Sequence, residues 1–357
     1  MIKNISFIFI LLSSMMFPCS TDAQSVYYQN ALGLNGTALK TSLHDIITNH
    51  NFQQWPLWSY FSSTDIKTGT TIWDMYSDIP GGVAPYTFHQ VNSQCGSYNN
   101  EGDCYNHEHV WPKTFFAGDV YPMRSDLHHV YPTDGFVNNK RSNFPFGKVN
   151  TANWTSDNGS KLGVSTSYNT WTSSNSNHYC FEPIDSFKGD IARIMFYMAT
   201  RYLGEDAGWS DWEMANGADL TNSAITILLD WHHKDPVSQK ELNRNQSVFL
   251  IQGNRNPFID YPQFADCIWG TADCKPLFNE DISETNFQFY PNPASDYLII
   301  PSALNRETHF EISSVDGLSI KLPVVDHRIN IQHLPNGLFF VRYTFQDKNY
   351  YSTFLKH

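Results

Sequence analysis

Asn106-His107-Glu108-His109-Val110-Trp111-Pro112 is the stretch on which the reading of this chain turns. Two further blocks follow in the same short segment, Asp126-Leu127-His128-His129 and Val137-Asn138-Asn139-Lys140-Arg141-Ser142-Asn143. Together they supply a candidate general base, a hard anionic ligand, an amide oxygen and two cations. Histidine, with an unperturbed pKa of about 6.5, takes up protons at neutral pH. A carboxylate beside an amide oxygen suits Mg²⁺, which prefers oxygen ligands and keeps several waters. Attack of water on a phosphodiester needs these parts: an activated water, neutralised phosphoryl charge and a stabilised leaving oxygen.

The spacing raises a geometric condition. Neighbours on a regular strand point to opposite faces, so Glu108 and His109 share a site only at a strand end or bend, and Pro112 points to such an ending. His107 shares a face with His109 and reads as an exposed bystander; His128 reads as core or loop support. Downstream, Asp126 to Val130 reads as a second strand and Pro132-Thr133-Asp134 as a helix start. On that helix Arg141 and Ser142, three and four residues past Asn138, lie on its face. Asn139 and Asn143 compete with Asn138 for the ligand role, since successive helical residues diverge by about 100°. Strand, strand, helix, with a His on the first and an Asn on the last, is the order of a ββα-metal finger.

Composition narrows the class. A net charge of −12 disfavours a tight, sequence-specific DNA-binding protein. Between Cys104 and Lys148, however, Lys113, Arg124, Lys140, Arg141 and Lys148 match the acidic residues, with four histidines nearby. A cationic patch on an acidic body fits an enzyme that binds loosely and turns over. Aromatic residues make up 15% and charged residues only 16%, which suits loops and β-structure better than a helical bundle. Two rivals arise. A zinc peptidase is suggested by His107-Glu108-His109 but fails on spacing, since two histidines four apart are required. A non-catalytic adhesin binding glycans or extracellular DNA would hold nucleic acid in EDTA without cutting it.

Residues 1–23 carry Lys3, an apolar run from Phe7 to Phe17 and small or polar residues to Ala23, the pattern of a secretory signal. No later segment is apolar enough to span a bilayer, so the expectation is an exported protein without a transmembrane segment. Of the remaining cysteines, Cys95 and Cys104 bracket a loop just before the active strand, and Cys267 and Cys274 bracket another, leaving Cys180 unpaired. Spacing alone does not fix that connectivity.

The rest reads as an α+β domain over 24–280. Leu39, Leu43, Ile46 and Ile47 recur at helical spacing behind Thr37. Residues 150–178 read as long loops or short strands. A helix begins near Gly189, with Ile191, Ile194, Met195, Met198 and Ala199 as its stripe. Arg193, Tyr197 and Arg201 lie on another face, where they either track phosphates or form internal salt bridges. Further helices are expected over Ser223–Trp231 and after Asp235-Pro236, with Asp as the cap. Asn254-Arg255-Asn256 builds a turn. After a linker at 281–286, short alternating strands at Tyr297–Ile300, His309–Ile312, Ile329–Ile331 and Leu338–Tyr343 predict a small β-sandwich over 287–357.

That C-terminal segment resembles the type A sorting domains of proteins exported by the type IX pathway, through Tyr290-Pro291-Asn292-Pro293-Ala294, Leu334-Pro335-Asn336-Gly337-Leu338-Phe339 and Ser352-Thr353-Phe354-Leu355-Lys356. The preceding domain resembles the endonuclease I family of secreted, non-specific nucleases from Tyr27 to Tyr261. The likeness rests on the three blocks above and on Phe181-Glu182-Pro183, Lys188-Gly189-Asp190-Ile191-Ala192-Arg193 and Gln252-Gly253-Asn254-Arg255-Asn256-Pro257-Phe258. The resemblance implies His109 as general base, one Mg²⁺ (with Mn²⁺ or Ca²⁺ as substitutes) on Glu108 and Asn138, and cleavage of DNA, and of RNA too, to 5′-phosphate ends. It implies a monomer handed to the type IX secretion machinery and secreted or held at the cell surface. His129 stands where relatives often have Asn and is expected, with Asp126, to brace the active loop. The segment between the strands is short, so Arg124 and Arg141 stand in for an arginine that relatives place there; Lys140 and Arg193 are the expected substrate contacts.

Overall fold

The computed structural model describes residues 27–271, 289, 291–300, 310–314, 319–325, 328–345 and 348–357. The expected leader (1–23), the linker (281–286) and Cys274 lie outside them. The chain divides into two compact units, Met1–Phe278 and Asn279–His357.

The first unit mixes helices and strands around two apolar cores. Helix α1 (Gly36–Ile47) buries Leu39, Leu43 and Ile47, as its spacing requires. A short helix α2 (Phe61–Thr64) leads into the hairpin β1 (Ile66–Thr68) and β2 (Thr71–Ile72). Strand β3 (Tyr105–His109) pairs antiparallel with β4 (Val130–Asp134), and α3 (Gly135–Arg141) follows without a break. The second strand thus starts four residues later than Asp126. Residues 126–129 form a turn stitched by the Asp126 carboxylate, which accepts from the His128 N–H, and Asp126 C=O, which accepts from the His129 and Val130 N–H groups. Pro132 and Thr133 belong to β4, opposite His107 and Asn106. A two-stranded ladder leaves each strand an open edge, so proline is tolerated. Asp134 then caps α3, its side chain accepting from Val137 N–H at 2.8 Å.

Beyond it, β5 (Thr151–Thr155), β6 (Lys161–Val164) and β7 (Tyr179–Glu182) form one antiparallel sheet in the turn-rich segment. Helix α4 (Lys188–Arg201) buries every residue after its first, its polar ones included. It is therefore a core helix rather than an amphipathic one. A hairpin, β8 (Ala215–Asn216) with β9 (Asp219–Leu220), precedes α5 (Asn222–Lys234), which Thr221 caps. Helix α6 (Gln239–Gln252) is capped by Ser238 in a capping box with Glu241, not by Asp235. Asp235 is spent elsewhere: its carboxylate accepts from Gly189 N–H and its carbonyl from Arg193. Two short helices, α7 (Pro257–Asp260) and α8 (Phe264–Trp269), close the unit.

The β3–β4–α3 segment lies between the two cores. Tyr105 and Val130 join a cluster with Leu57, Phe61 and Val248, whereas Val110, Tyr131 and Val137 join the larger cluster with α1 and α4. Both faces are thus clamped, which holds the segment in one register. Arg244 of α6 adds a polar clamp: its guanidinium donates to the Leu127 and Val130 carbonyls and pairs with Asp65. A Cys95–Cys104 disulfide closes the loop before β3. Cys267 is half of another, and Cys180 is a buried free thiol.

In the second unit, β10 (Tyr297–Ile299), β11 (Phe310–Ser314), β12 (Ser319–Lys321), β13 (Val324–Val325), β14 (Arg328–Asn330), β15 (Gly337–Phe345) and β16 (Lys348–Lys356) make two antiparallel sheets, ordered β10-β14-β13 and β12-β11-β15-β16. Leu298 and Ile329 from the first, and Phe310, Ile312, Phe339, Val341 and Phe354 from the second, share one core.

Candidate active site

Strand β3 ends at His109, and there the three sequence blocks meet. His109, Glu108, Asn138 and Arg141 line one small depression of about 190 Å³, together with His107, Pro112, Lys113, Ser142 and Asn143. Alternation along the strand is kept. His107 turns to one side, with ring centroids 3.8 Å from Trp58 and 4.4 Å from Trp55, while Glu108 turns to the other. The depression forms where the strand stops, so both sides reach it.

The His109 ring is held on three sides. Nε2 lies 2.9 Å from the Arg124 carbonyl, the Trp55 ring stacks at 5.5 Å and His129 meets it edge-on at 5.4 Å. A carbonyl only accepts, so Nε2 carries the hydrogen and Nδ1 is left with the lone pair. Burial, His129, Lys113 and His107 hold the imidazole well below its ordinary pKa against the Arg124 carbonyl, which keeps it in the neutral form that can accept a proton.

Glu108 is 2% exposed. Its Oε1 accepts from Tyr76 Oη at 2.7 Å and lies 3.2 Å from Arg141 Nη1; among the described residues Oε2 has no hydrogen-bond partner. Burial raises its pKa, with Arg141 and the Tyr76 hydrogen bond opposing. Asn138 is oriented by its own amide. Nδ2 donates to Asn106 Oδ1 at 2.7 Å and to the His107 carbonyl at 3.2 Å. Only the NH₂ end can face that carbonyl, so Oδ1 is the pole left for another partner.

These two oxygens, one carboxylate and one amide, suit a hard divalent ion that retains much of its water. Among the described residues no three His, Cys, Asp or Glu side chains converge on one point. A zinc-peptidase set of three such ligands is thus missing among the described residues.

The arginines differ from expectation. Arg141 is 1% exposed; Nη1 donates to the His109 carbonyl and Nη2 to that of Val110 at 2.7 Å, so it ties α3 to the end of β3. Arg124 gives its carbonyl to His109, while its side chain lies over Trp55 and beside Asp119. Arg193 reaches no surface. It is 0% exposed and forks onto Glu241, with further bonds to His232 Nδ1 and the Asp235 carbonyl. The alternative of an internal salt bridge holds, because a buried glutamate on α6 needs a cation. Lys140 hovers over the Phe136 and Trp154 rings, outside the depression.

Asp126 and His129 form the support behind the site. Asp126 accepts from Tyr197 and Tyr202 hydroxyls, both at 2.8 Å, and from Gln252 at 3.0 Å. Burial would raise its carboxyl, but His50, His128, His129 and the Gln252 bond outweigh it and hold it below the usual range. His129 Nε2 meets the Met123 carbonyl at 2.6 Å, which fixes the turn that carries Arg124. His107, expected as an exposed bystander, is caged by Trp55, Trp58 and Phe61 and accepts from Leu57 N–H; burial lowers its pKa to about 3. Tyr76, Asn106 and Trp55 escaped sequence reasoning, because nothing near them in the chain marks a partner 32 or more residues away. Lys113 was visible only as one base in a patch, yet it is the half-exposed cation at the rim, paired with Asp119.

Comparison with known proteins gives the family. Residues 35–263 match the Endonuclease I family, and residues 288–357 match a secretion system C-terminal sorting domain. The chain is 34% identical over 267 residues to an extracellular ribonuclease of Bacillus amyloliquefaciens, covering 72% of this chain and 82% of that one. It is 35% identical over 255 residues to an extracellular ribonuclease of Bacillus subtilis (strain 168), covering 68% and 78%. An extracellular deoxyribonuclease of Aeromonas hydrophila is 26% identical over 142 residues, 39% of this chain and 50% of that relative. Such a fold and such matches define a nuclease that is secreted or displayed at the cell surface. The chain belongs to the Endonuclease I family. Among the described residues no helix is long and apolar enough to cross a membrane.

Proposed function

We propose that the depression at the end of β3 hydrolyses phosphodiesters in DNA and RNA, leaving 5′-phosphates, and that β3, β4 and α3 act as a ββα-metal finger. The observation that carries this is the convergence of His109, Glu108 and Asn138, from two separate sequence blocks, on one depression. Nδ1 of His109 takes the proton from the attacking water, whose oxygen bonds to phosphorus as the bond to the 3′ oxygen breaks. Glu108, through Oε2, and Asn138, through Oδ1, would hold Mg²⁺, with Mn²⁺ or Ca²⁺ as substitutes. When bound, the ion neutralises phosphoryl charge and stabilises the departing oxygen. Lys113 is the cation placed to meet the phosphate from the rim. Arg141 acts through Glu108 and the strand end, a positioning residue. His129 and Asp126 keep the turn that orients His109.

The names of the relatives, ribonucleases and a deoxyribonuclease, support both substrates. The division into a leader (1–23), a catalytic domain (24–280), a linker and a type IX sorting β-sandwich (287–357) is part of the proposal, as is action as a monomer. The test is plasmid DNA and RNA incubated with the full chain and with His109→Ala, in Mg²⁺ or EDTA. Cleavage by the wild type in Mg²⁺ alone is expected. Undiminished cutting by His109→Ala would remove the base from the mechanism.

A further inference from the structure

Next to His109 runs a strip of aromatic surface with no part in the chemistry so far. Trp55 lies against the His109 ring, planes 25° from parallel. The Arg124 guanidinium sits 5.0 Å from the centre of the Trp55 ring and 5.9 Å from that of Tyr121. Tyr121 in turn meets Phe52 at 5.2 Å. Trp55, Arg124, Tyr121 and Phe52 therefore form a continuous series leading away from the base. Phe52 is 51% exposed and Tyr121 38% exposed, and neither belongs to a core of the first unit. Single exposed apolar side chains are ordinary. Two that touch, with a cation between them and the ring on the catalytic histidine, are not explained by packing.

We propose that this strip is a stacking platform for an unpaired base beside the scissile phosphate, so that single-stranded nucleic acid is the preferred substrate. The inference rests on the reading of the depression as the hydrolytic site. Flat rings and a guanidinium plane both receive the face of a base, whatever its identity, which matches an enzyme that reads no sequence. In a duplex those faces are covered by neighbouring bases, and only an unpaired base can present one. Arg124 has the fitting disposition: its guanidinium lies over the Trp55 ring, with Asp119 Oδ1 3.5 Å from its Nε. The strip begins against the His109 ring, so a strand that rests its bases along it runs on toward the depression.

The test compares the full chain with its Phe52→Ala/Tyr121→Ala double variant on three substrates in Mg²⁺. These are a single-stranded oligonucleotide, a fully abasic strand of equal length, and the duplex of the same sequence. Neither side chain belongs to a core of the first unit, so the variant should fold, and its melting temperature is checked. On the single strand kcat/KM should fall about tenfold, while cleavage of the duplex and of the abasic strand changes by less than about twofold. Equal losses on all substrates, or none on any, overturn the platform while leaving the hydrolytic site intact. A wild type inactive on every substrate in Mg²⁺ removes the hydrolytic reading and the platform with it.

Discussion

His109 Nε2 bonds to the backbone carbonyl of Arg124 at 2.9 Å. That one contact sets the tautomer of the imidazole, because its acceptor has no proton to give, and so leaves the lone pair on Nδ1. Replacing His109 by Ala is expected to cut nicking by about 10²- to 10⁴-fold, the usual worth of a placed general base. Single-turnover cleavage of supercoiled plasmid, with circular dichroism to verify folding, measures it. A loss of less than tenfold would mean that another group takes the proton.

Asn138 and Glu108 should separate metal affinity from stability. Asn138→Ala removes the proposed oxygen ligand and is expected to raise the Mg²⁺ concentration for half-maximal cleavage by about tenfold or more. Asn138→Asp should instead lower the melting temperature, since a carboxylate would face the His107 carbonyl and Asn106 Oδ1, both acceptors. Glu108→Gln keeps the Tyr76 contact but leaves Arg141 without its counter-charge, so it should both weaken Mg²⁺ binding and destabilise. Mg²⁺ titrations of rate, run beside thermal melts, distinguish the three.

Arg193→Ala should act on folding alone. It leaves the Glu241 carboxylate buried without its partner, an effect worth about 3–5 kcal/mol. Urea unfolding reads the loss. If stability held and only substrate affinity fell, Arg193 would have to reach nucleic acid after all.

Stability should fall in mild acid because buried histidines stay neutral. Burial and Arg193 lower the pKa of His232 to about 4, against opposing contributions from the Pro262 carbonyl and Asp266. The unfolded chain takes up this proton below about 6.5, the folded protein only near 4, so unfolding gains protons in between and stability drops as pH falls. His232 alone contributes at most about 3 kcal/mol over that window. Replacement by Gln should flatten the slope of unfolding free energy between pH 6.5 and 4; an unchanged slope would place the titration elsewhere.

The Cys95–Cys104 disulfide braces the helix that carries Asn138. An added Cβ at Gly135, the first residue of α3, would come within 2.7 Å of Cys95 Sγ, so helix start and disulfide are in contact. Closing a loop with a sequence separation of 9 stabilises by roughly 2–3 kcal/mol on the chain-entropy account. Cys95→Ser/Cys104→Ser should lose about that much in urea and should also need more Mg²⁺. A variant as stable as wild type would show that the bond constrains nothing.

Local chemistry wrote much of this protein into its sequence. Ordered blocks of His, Glu and Asn, apolar spacing in α1, the Cys95–Cys104 bracket and the change of character after residue 280 are all properties of neighbours in the chain. Folding decided what depends on distant partners. Asp126–His129 looked like a strand, but the Asp126 carboxylate turns the backbone there, and residues from α4 and α6 hold that carboxylate. Arg193 could track phosphates or form an internal salt bridge as far as its spacing went, because a helical stripe reveals periodicity and not what packs against its other faces. Glu108 and His109 diverge on any regular strand, and only the end of β3, with α3 folded across it, lets both reach one depression. Residue identity determined which chemistry was available; burial, and the carbonyls and rings brought from elsewhere, decided which atoms are free to perform it.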